Sequence, residues 1–183
     1  VEIAVGVLLL LGLFTRVDIY LDSLEGVHFL NVNVGERWFI IPLPLFGFRD
    51  GDVKKPFFGG GVLHNNVSGR NQKLFASIVF GYNPSLSLHF SDPLIDREKG
   101  LFFSGGLSYS RVRNQSEVAA ALTGDFDERH YDVNSTFGKR LSLYASGGIT
   151  LGFHMVEVDT YQPGRTVSPT GHDRFLYGTA SYA

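Results

Sequence analysis

The stretch LSLYASGGITLGFHM, Leu141 to Met155, decides the fold. Its odd positions are Leu141, Leu143, Ala145, Gly147, Ile149, Leu151, Phe153 and Met155; its even ones are Ser142, Tyr144, Ser146, Gly148, Thr150, Gly152 and His154. A period of two is the signature of a β-strand with two unlike faces. One face suits lipid and the other water. A soluble antiparallel sheet also alternates, but it commonly shows long charged side chains to solvent. Here the polar face is Ser, Gly, Thr and His, which suits the inside of a wet barrel.

The same division recurs on either side. Leu86, Leu88 and Phe90 oppose Ser85, Ser87 and His89, and Tyr131, Val133 and Phe137 oppose Asp132, Asn134 and Thr136. Leu74, Ala76, Ile78, Phe80 and Tyr82 share one face, and Leu101, Phe103, Leu107 and Tyr109 oppose Ser104, Gly106, Ser108 and Ser110. Phe57 to His64 and Phe175 to Tyr182 are diluted by glycine, and Trp38 to Phe48 supplies the first strand. Segments of about ten residues match a tilted transmembrane strand. Charge gathers in the connections, as in Arg49 to Lys55, Asp96 to Lys99 and Asp125 to Arg129. If strand one leaves the periplasm, the outside connections are 49–56, 83–84, 114–128 and 157–173, and the periplasmic ones are 65–69, 93–100 and 138–140. Long loops then fall mainly outside, as outer-membrane barrels require, with Asn83-Pro84 the exception.

Composition agrees. Among 183 residues there are 16 Phe, 8 Tyr and 22 Gly against single Met and Trp residues, a profile of strands and tight turns. A net charge of −2 gives no basic field for nucleic acid. The absence of cysteine removes disulfides, thiol nucleophiles and Cys-ligated zinc. Ile3 to Phe14 is apolar but shorter than the roughly 20 residues of a spanning helix. With Glu2 before it and Thr15-Arg16-Val17-Asp18 after it, the run is a poor signal peptide and reads as a buried helix. A hairpin follows: Val17 to Leu21, a turn at Ser23 to Gly26, then Val27 to Val34. The chain reads as beginning inside a longer protein.

Candidate chemistry is thin. His89, His130 and His154 fall on the inward face of different strands, but no pair has a ligand spacing, and lumen lining accounts for them better than metal. Gly59-Gly60-Gly61 lacks the Lys-Ser/Thr ending of a phosphate loop and reads as relief of crowding at a bend. Asp92, Asp96 and Glu98 cluster near Arg97 and Lys99, the pattern of a solvated turn rather than an acid–base pair. No nucleophile elbow is present. The chain reads as no enzyme, without a cofactor or metal.

Several motifs resemble the BamA/TamA-type outer-membrane assembly proteins, also called bacterial surface antigens. Leu8 to Leu21 resembles the second helix and following strand of a POTRA domain, and Val32 to Trp38 its last strand. Asn65 to Leu74 resembles the family's early barrel turn, with Asn71 where Gly is usual, and Leu88 to Leu94 a strand ending in a Pro-aliphatic pair. Asn65 and Gly69 are expected at positive φ, and Pro93 is expected to end its ladder. The family's later barrel strands and its inward-folding Arg-Gly-aromatic loop are missing.

The expected fold is all-β: an antiparallel transmembrane β-barrel segment of about eight strands, preceded by the helix and β-hairpin of a partial POTRA unit. Residues 1–36 are the C-terminal part of that unit, in the periplasm, and 37–183 the first strands of an outer-membrane barrel in a Gram-negative bacterium. The resemblance implies insertion or passage of client polypeptides by strand pairing at the barrel edge, carried here by Trp38, Phe39, Ile40, Ile41, Leu43 and Leu45. Pro42 and Pro44 cannot donate to a ladder, which fits an incompletely paired edge and equally a Pro-containing strand entrance. The implied partners are outer-membrane lipid, client polypeptides, and the remaining barrel strands or a second copy, since an open edge in lipid leaves backbone groups unsatisfied. No nucleic acid is expected. The alternatives are a self-contained small barrel acting as pore or adhesin, and a soluble β-sandwich.

Overall fold

The computed structural model describes residues 5–6, 13–24, 27–114, 121, 124–142, 144–159, 161–162 and 166–183. The helix expected over Ile3 to Phe14 falls mostly outside them, and Phe14 itself opens a strand. A two-stranded antiparallel sheet comes first, β1 (Phe14–Leu24) with β2 (Val27–Glu36). The hairpin is longer than its alternation suggests, and Glu25 and Gly26 of its turn lie outside the described residues.

A second sheet follows: β3 (Ile40–Phe48), β4 (Pro56–His64), β5 (Lys73–Gly81), β6 (Ser85–Asp96), β7 (Leu101–Arg113), β8 (Asp127–Arg140), β9 (Ser146–Val158) and β10 (His172–Tyr182). Each strand pairs antiparallel with its sequence neighbours, giving an eight-stranded meander whose two edges are β3 and β10. The two edges do not pair with each other, so the sheet is open.

Two of the strand boundaries that differ from the sequence reading have a clear physical reason. Gly138-Lys139-Arg140 is not a turn: β8 runs through it, and the reversal comes at Leu141, whose N–H and that of Ser142 both donate to the Ala145 carbonyl. Gly138 belongs in the strand because the Phe102 ring of β7 lies over it, directly opposite in register. Tyr177 over Gly152 and Phe57 over Gly47 repeat the arrangement, with aromatic rings filling the space a cross-strand glycine leaves. Pro93 does not end its ladder either. β6 continues to Asp96, and the pairing with β7 shifts between Asp92 and Asp96, so the proline sits in a bulge.

Registers continue across the whole sheet, so its faces can be read as rows. Leu88, Leu107, Val133, Phe153 and Leu176 lie side by side on one face, the apolar face. Flanking them on that face are Tyr109 against Tyr131, 5.2 Å between ring centroids, and Phe103 against Phe137, 4.9 Å. At about 3.3 Å per residue, Phe103 and Tyr109 are roughly 20 Å apart along β7. The opposite face is mixed. Over β6 to β10 it carries Ser87, Ser108, Asp132, His154 and Phe175 in one row and Ser91, Ser104, Thr136, Thr150 and Thr179 in another. Over β3 to β5 it carries Ile41, Leu43, Leu45, Phe57, Leu63, Phe75 and Val79. The hairpin β3–β4 is therefore apolar on both sides.

No second layer among the described residues covers the apolar face. Among the described residues only Val17, Val79 and Val158 are buried apolar side chains, while Phe46 is 78% exposed, Leu151 63% and Leu176 87%. A water-soluble sheet would bury such a face; an exposed apolar surface of this extent needs a partner or a lipid.

Candidate functional site

The structure places the edge residues in two settings. Trp38 and Phe39 lie in the irregular stretch before β3, with Trp38 78% exposed and the Phe39 carbonyl accepting the Asn65 N–H at 2.8 Å. Ile40, Ile41, Leu43 and Leu45 lie on β3. Along an antiparallel strand, alternate residues aim both backbone groups at one neighbour. At one end the Phe39 carbonyl faces β4, and at the other the Arg49 N–H donates to Lys55. The register between them has no shift, so the odd residues of β3 face β4.

The even residues, Ile40, Pro42, Pro44, Phe46 and Phe48, therefore aim their backbone at the free edge. Two of them have no N–H. The prolines cost the β3–β4 ladder nothing, and they remove two donors from the middle of the outer edge while leaving its carbonyls in place. The reciprocal bonds between Ser146 and Ala183 fix the phase of the other edge in the same way. Its outward positions are His172, Arg174, Leu176, Gly178, Ala180 and Tyr182, and every one has its N–H. The sheet has one complete edge and one starved of donors. Sequence reasoning found the prolines but could not tell which way they face.

The mixed face of β8 to β10 holds a polar cluster that sequence reasoning missed as a unit. Asp132 Oδ1 accepts from the Asn134 side-chain amide at 2.8 Å, and its Oδ2 accepts from the Tyr177 hydroxyl at 3.3 Å and lies 3.5 Å from His154 Nδ1. The His130 and His154 rings are 5.6 Å apart, and His130 Nε2 lies 3.1 Å from Glu128 Oε2. Among the described residues no three His, Asp or Glu side chains gather into a metal-binding group. The cluster ties three strands together instead. Replacing Asp132 by alanine leaves two donors without their acceptor and is expected to cost about 1–2 kcal/mol, while Asp132→Asn keeps most of the bonds. Thermal melts of the two variants check this, and an unchanged midpoint for Asp132→Ala means the carboxylate does not brace the wall.

Asp92, Asp96 and Glu98 separate. Asp96 sits at the β6–β7 turn, where its carboxylate accepts the N–H groups of Glu98 and Lys99. Asp92 is buried in the β6 bulge, 5% exposed, and accepts from the Gln72 side chain and the Leu94 N–H. Gln72 belongs to the β4–β5 turn, where Asn71 has φ 60° and Gly69 φ 71°. Asn65 is not among the positive-φ residues; the left-handed position is Asn71. Asparagine tolerates that conformation better than other non-glycine residues, so Asn71 is physically compatible where a glycine was expected.

No family model matches the chain, and no curated protein matches it. Among solved structures, the chain is similar in fold to BamA from Haemophilus ducreyi lacking POTRA domains 1-3, at 14% identity and a TM-score of 0.62. The match covers 99% of this chain and 36% of that one, so the chain spans about a third of that protein's length. The likeness shows a BamA-like sheet.

Proposed function

We propose that the protein is an outer-membrane assembly or translocation component that offers the free edge of β3 to client polypeptides. Residues 37–183 form part of a barrel in the outer membrane of a Gram-negative bacterium, and 1–36 close a POTRA-like unit on its periplasmic side. The observation that carries this reading is the donor-starved edge: Pro42 and Pro44 both aim outward on a sheet of BamA-like fold. Such an edge accepts hydrogen bonds from an incoming strand yet cannot complete a permanent ladder, so a pairing partner can leave again. The apolar face with aromatic rows roughly 20 Å apart supports the lipid setting, because barrels of this class carry an apolar band about 25 Å tall between aromatic girdles. Trp38 and Phe39 lead the client to the edge, which Ile40 opens, while Ile41, Leu43 and Leu45 hold the strand to β4. The work is non-covalent, with no enzyme chemistry, cofactor or nucleic acid.

The chain has no cysteine, so a single introduced thiol reports one position. With Phe46→Cys on the β3 edge and a cysteine in the terminal strand of an outer-membrane client, a disulfide is expected in intact membranes. Leu176→Cys on the β10 edge serves as the comparison. Equal cross-linking at both edges, or none at Phe46→Cys, overturns the reading.

The eight-strand sheet also favours a second reading, a self-contained small barrel closed by pairing β3 with β10 and acting as a pore or adhesin. A heat-shifted electrophoretic band near the 20.2 kDa chain mass selects that reading, and a larger one selects the first.

A further inference from the structure

At the end of the sheet where β4 turns into β5, two clefts share Asn71, Lys73, Pro93 and Arg140. The outer one, about 630 Å³, is lined by Arg70, Lys73, Arg97 and Arg140, together with the apolar Leu13, Phe14 and Leu94. The other, about 440 Å³, is lined by His89, Ser91, Phe102 and Ser104 of the mixed face and also reaches Phe103. Lys73 pairs with Ser91, and Arg140 with Ser146, so both cations stand in rows of that face and not of the apolar one.

The charge here is unbalanced. Asp92 is the carboxylate lining these clefts, and it is already held by Gln72 and the Leu94 N–H, with Arg70 at 3.8 Å. Lys73, Arg97 and Arg140 have no carboxylate within ion-pairing distance among the described residues, and the nearby Asp96 is 3.7 Å from Lys99. The turn that presents Arg70 and Lys73 is braced, because Asn71 N–H donates to the Asn66 side chain at 2.8 Å and Val67 N–H to the Gln72 carbonyl at 3.0 Å. A preformed cleft with surplus cations and an apolar wall is complementary to a ligand that alternates carboxylates with apolar groups.

We infer that this cleft binds an acidic segment of a polypeptide entering the mixed face from that end, with carboxylates on Lys73, Arg97 and Arg140 and apolar side chains against Phe14 and Leu94. A lipid headgroup is the poorer fit, because the two shared cations lie on the side away from the apolar face. The inference rests on the barrel reading above and names the chemistry of the partner it takes.

The test uses the full chain in dodecyl maltoside, first checked for a heat-shifted band. Absence of that band sinks the barrel reading and this inference with it. The probe is a fluorescein-labelled twelve-residue peptide alternating Glu with Leu and Phe, with its Gln counterpart, inorganic phosphate and phosphatidylglycerol micelles as competitors. Anisotropy is expected to show the Glu peptide binding at least about tenfold tighter than the Gln peptide, with Lys73→Gln/Arg140→Gln removing that difference. Arg97→Gln, in an exposed turn, is expected to weaken binding several-fold and covers the case in which the double variant does not fold. Equal binding of the two peptides, wild-type affinity in Arg97→Gln, or displacement by phosphate or by phosphatidylglycerol at matched charge overturns the inference.

Discussion

Replacing Gly59 by alanine is expected to abolish the folded sheet, while the same change at the adjacent Gly60 leaves it intact. A Cβ on Gly59 would lie 2.1 Å from the Ile78 carbonyl oxygen and 2.8 Å from the Val79 Cα, both backbone atoms of β5. Neither can swing aside as a side chain can, so β4 and β5 must separate or slip. Overpacking costs about 1–3 kcal/mol where side chains can yield and more where backbone must move, a large share of the stability of a marginal domain. At Gly60 the nearest heavy atom is 3.9 Å away, and a methyl group there meets ordinary van der Waals contact. The yield of heat-modifiable protein in membranes reads both variants, and equal yields for the two would show that β4 and β5 do not approach as described.

The second large effect is expected from Pro42→Thr/Pro44→Thr. Threonine is a good strand residue and restores an N–H at both outward positions of β3. A barrel strand that closes against β3 gains two hydrogen bonds at about 1 kcal/mol each, so the state in which that edge stands open to a client becomes roughly thirtyfold rarer. The expected phenotype is a more heat-resistant protein with a matching loss of client cross-linking at Phe46→Cys. A variant with unchanged melting and unchanged cross-linking would show that the missing donors do not limit pairing.

The alternation of Ile149, Leu151 and Phe153 against Thr150, Gly152 and His154 made the sheet and the identity of its faces legible, because period-two patterning is local. Strand ends were less legible. Leu141 and Ala145 continue the parity of β9 although they lie in a turn that lacks Gly, Pro and Asn, and Gly138 looks like a turn residue unless Phe102 is known to sit opposite. The apolar mixed face of β3 to β5 was readable only once registers were fixed. The direction in which Pro42 and Pro44 face depends on which cross-strand pairs are hydrogen-bonded, and that phase is a property of the ladder, not of the residues. The cleft around Lys73 and Arg140 joins β5 to the end of β8, a juxtaposition no spacing rule contains.

The β3–β4 hairpin, apolar on both sides, has a dielectric consequence. Along β6 to β10 the serines, threonines and histidines can hold water, so a backbone group there always has an alternative partner. Along β3 the side chains of Ile41, Leu43 and Leu45 on one side and, in a bilayer, acyl chains on the other offer no such partner. Each bare carbonyl of Ile40, Pro42, Pro44, Phe46 and Phe48 then costs more to leave unbonded than it would in water. The same edge that cannot finish a ladder is also the one least able to idle. Under the function proposed above, a client strand would be drawn in by dryness and let go by the absence of two protons.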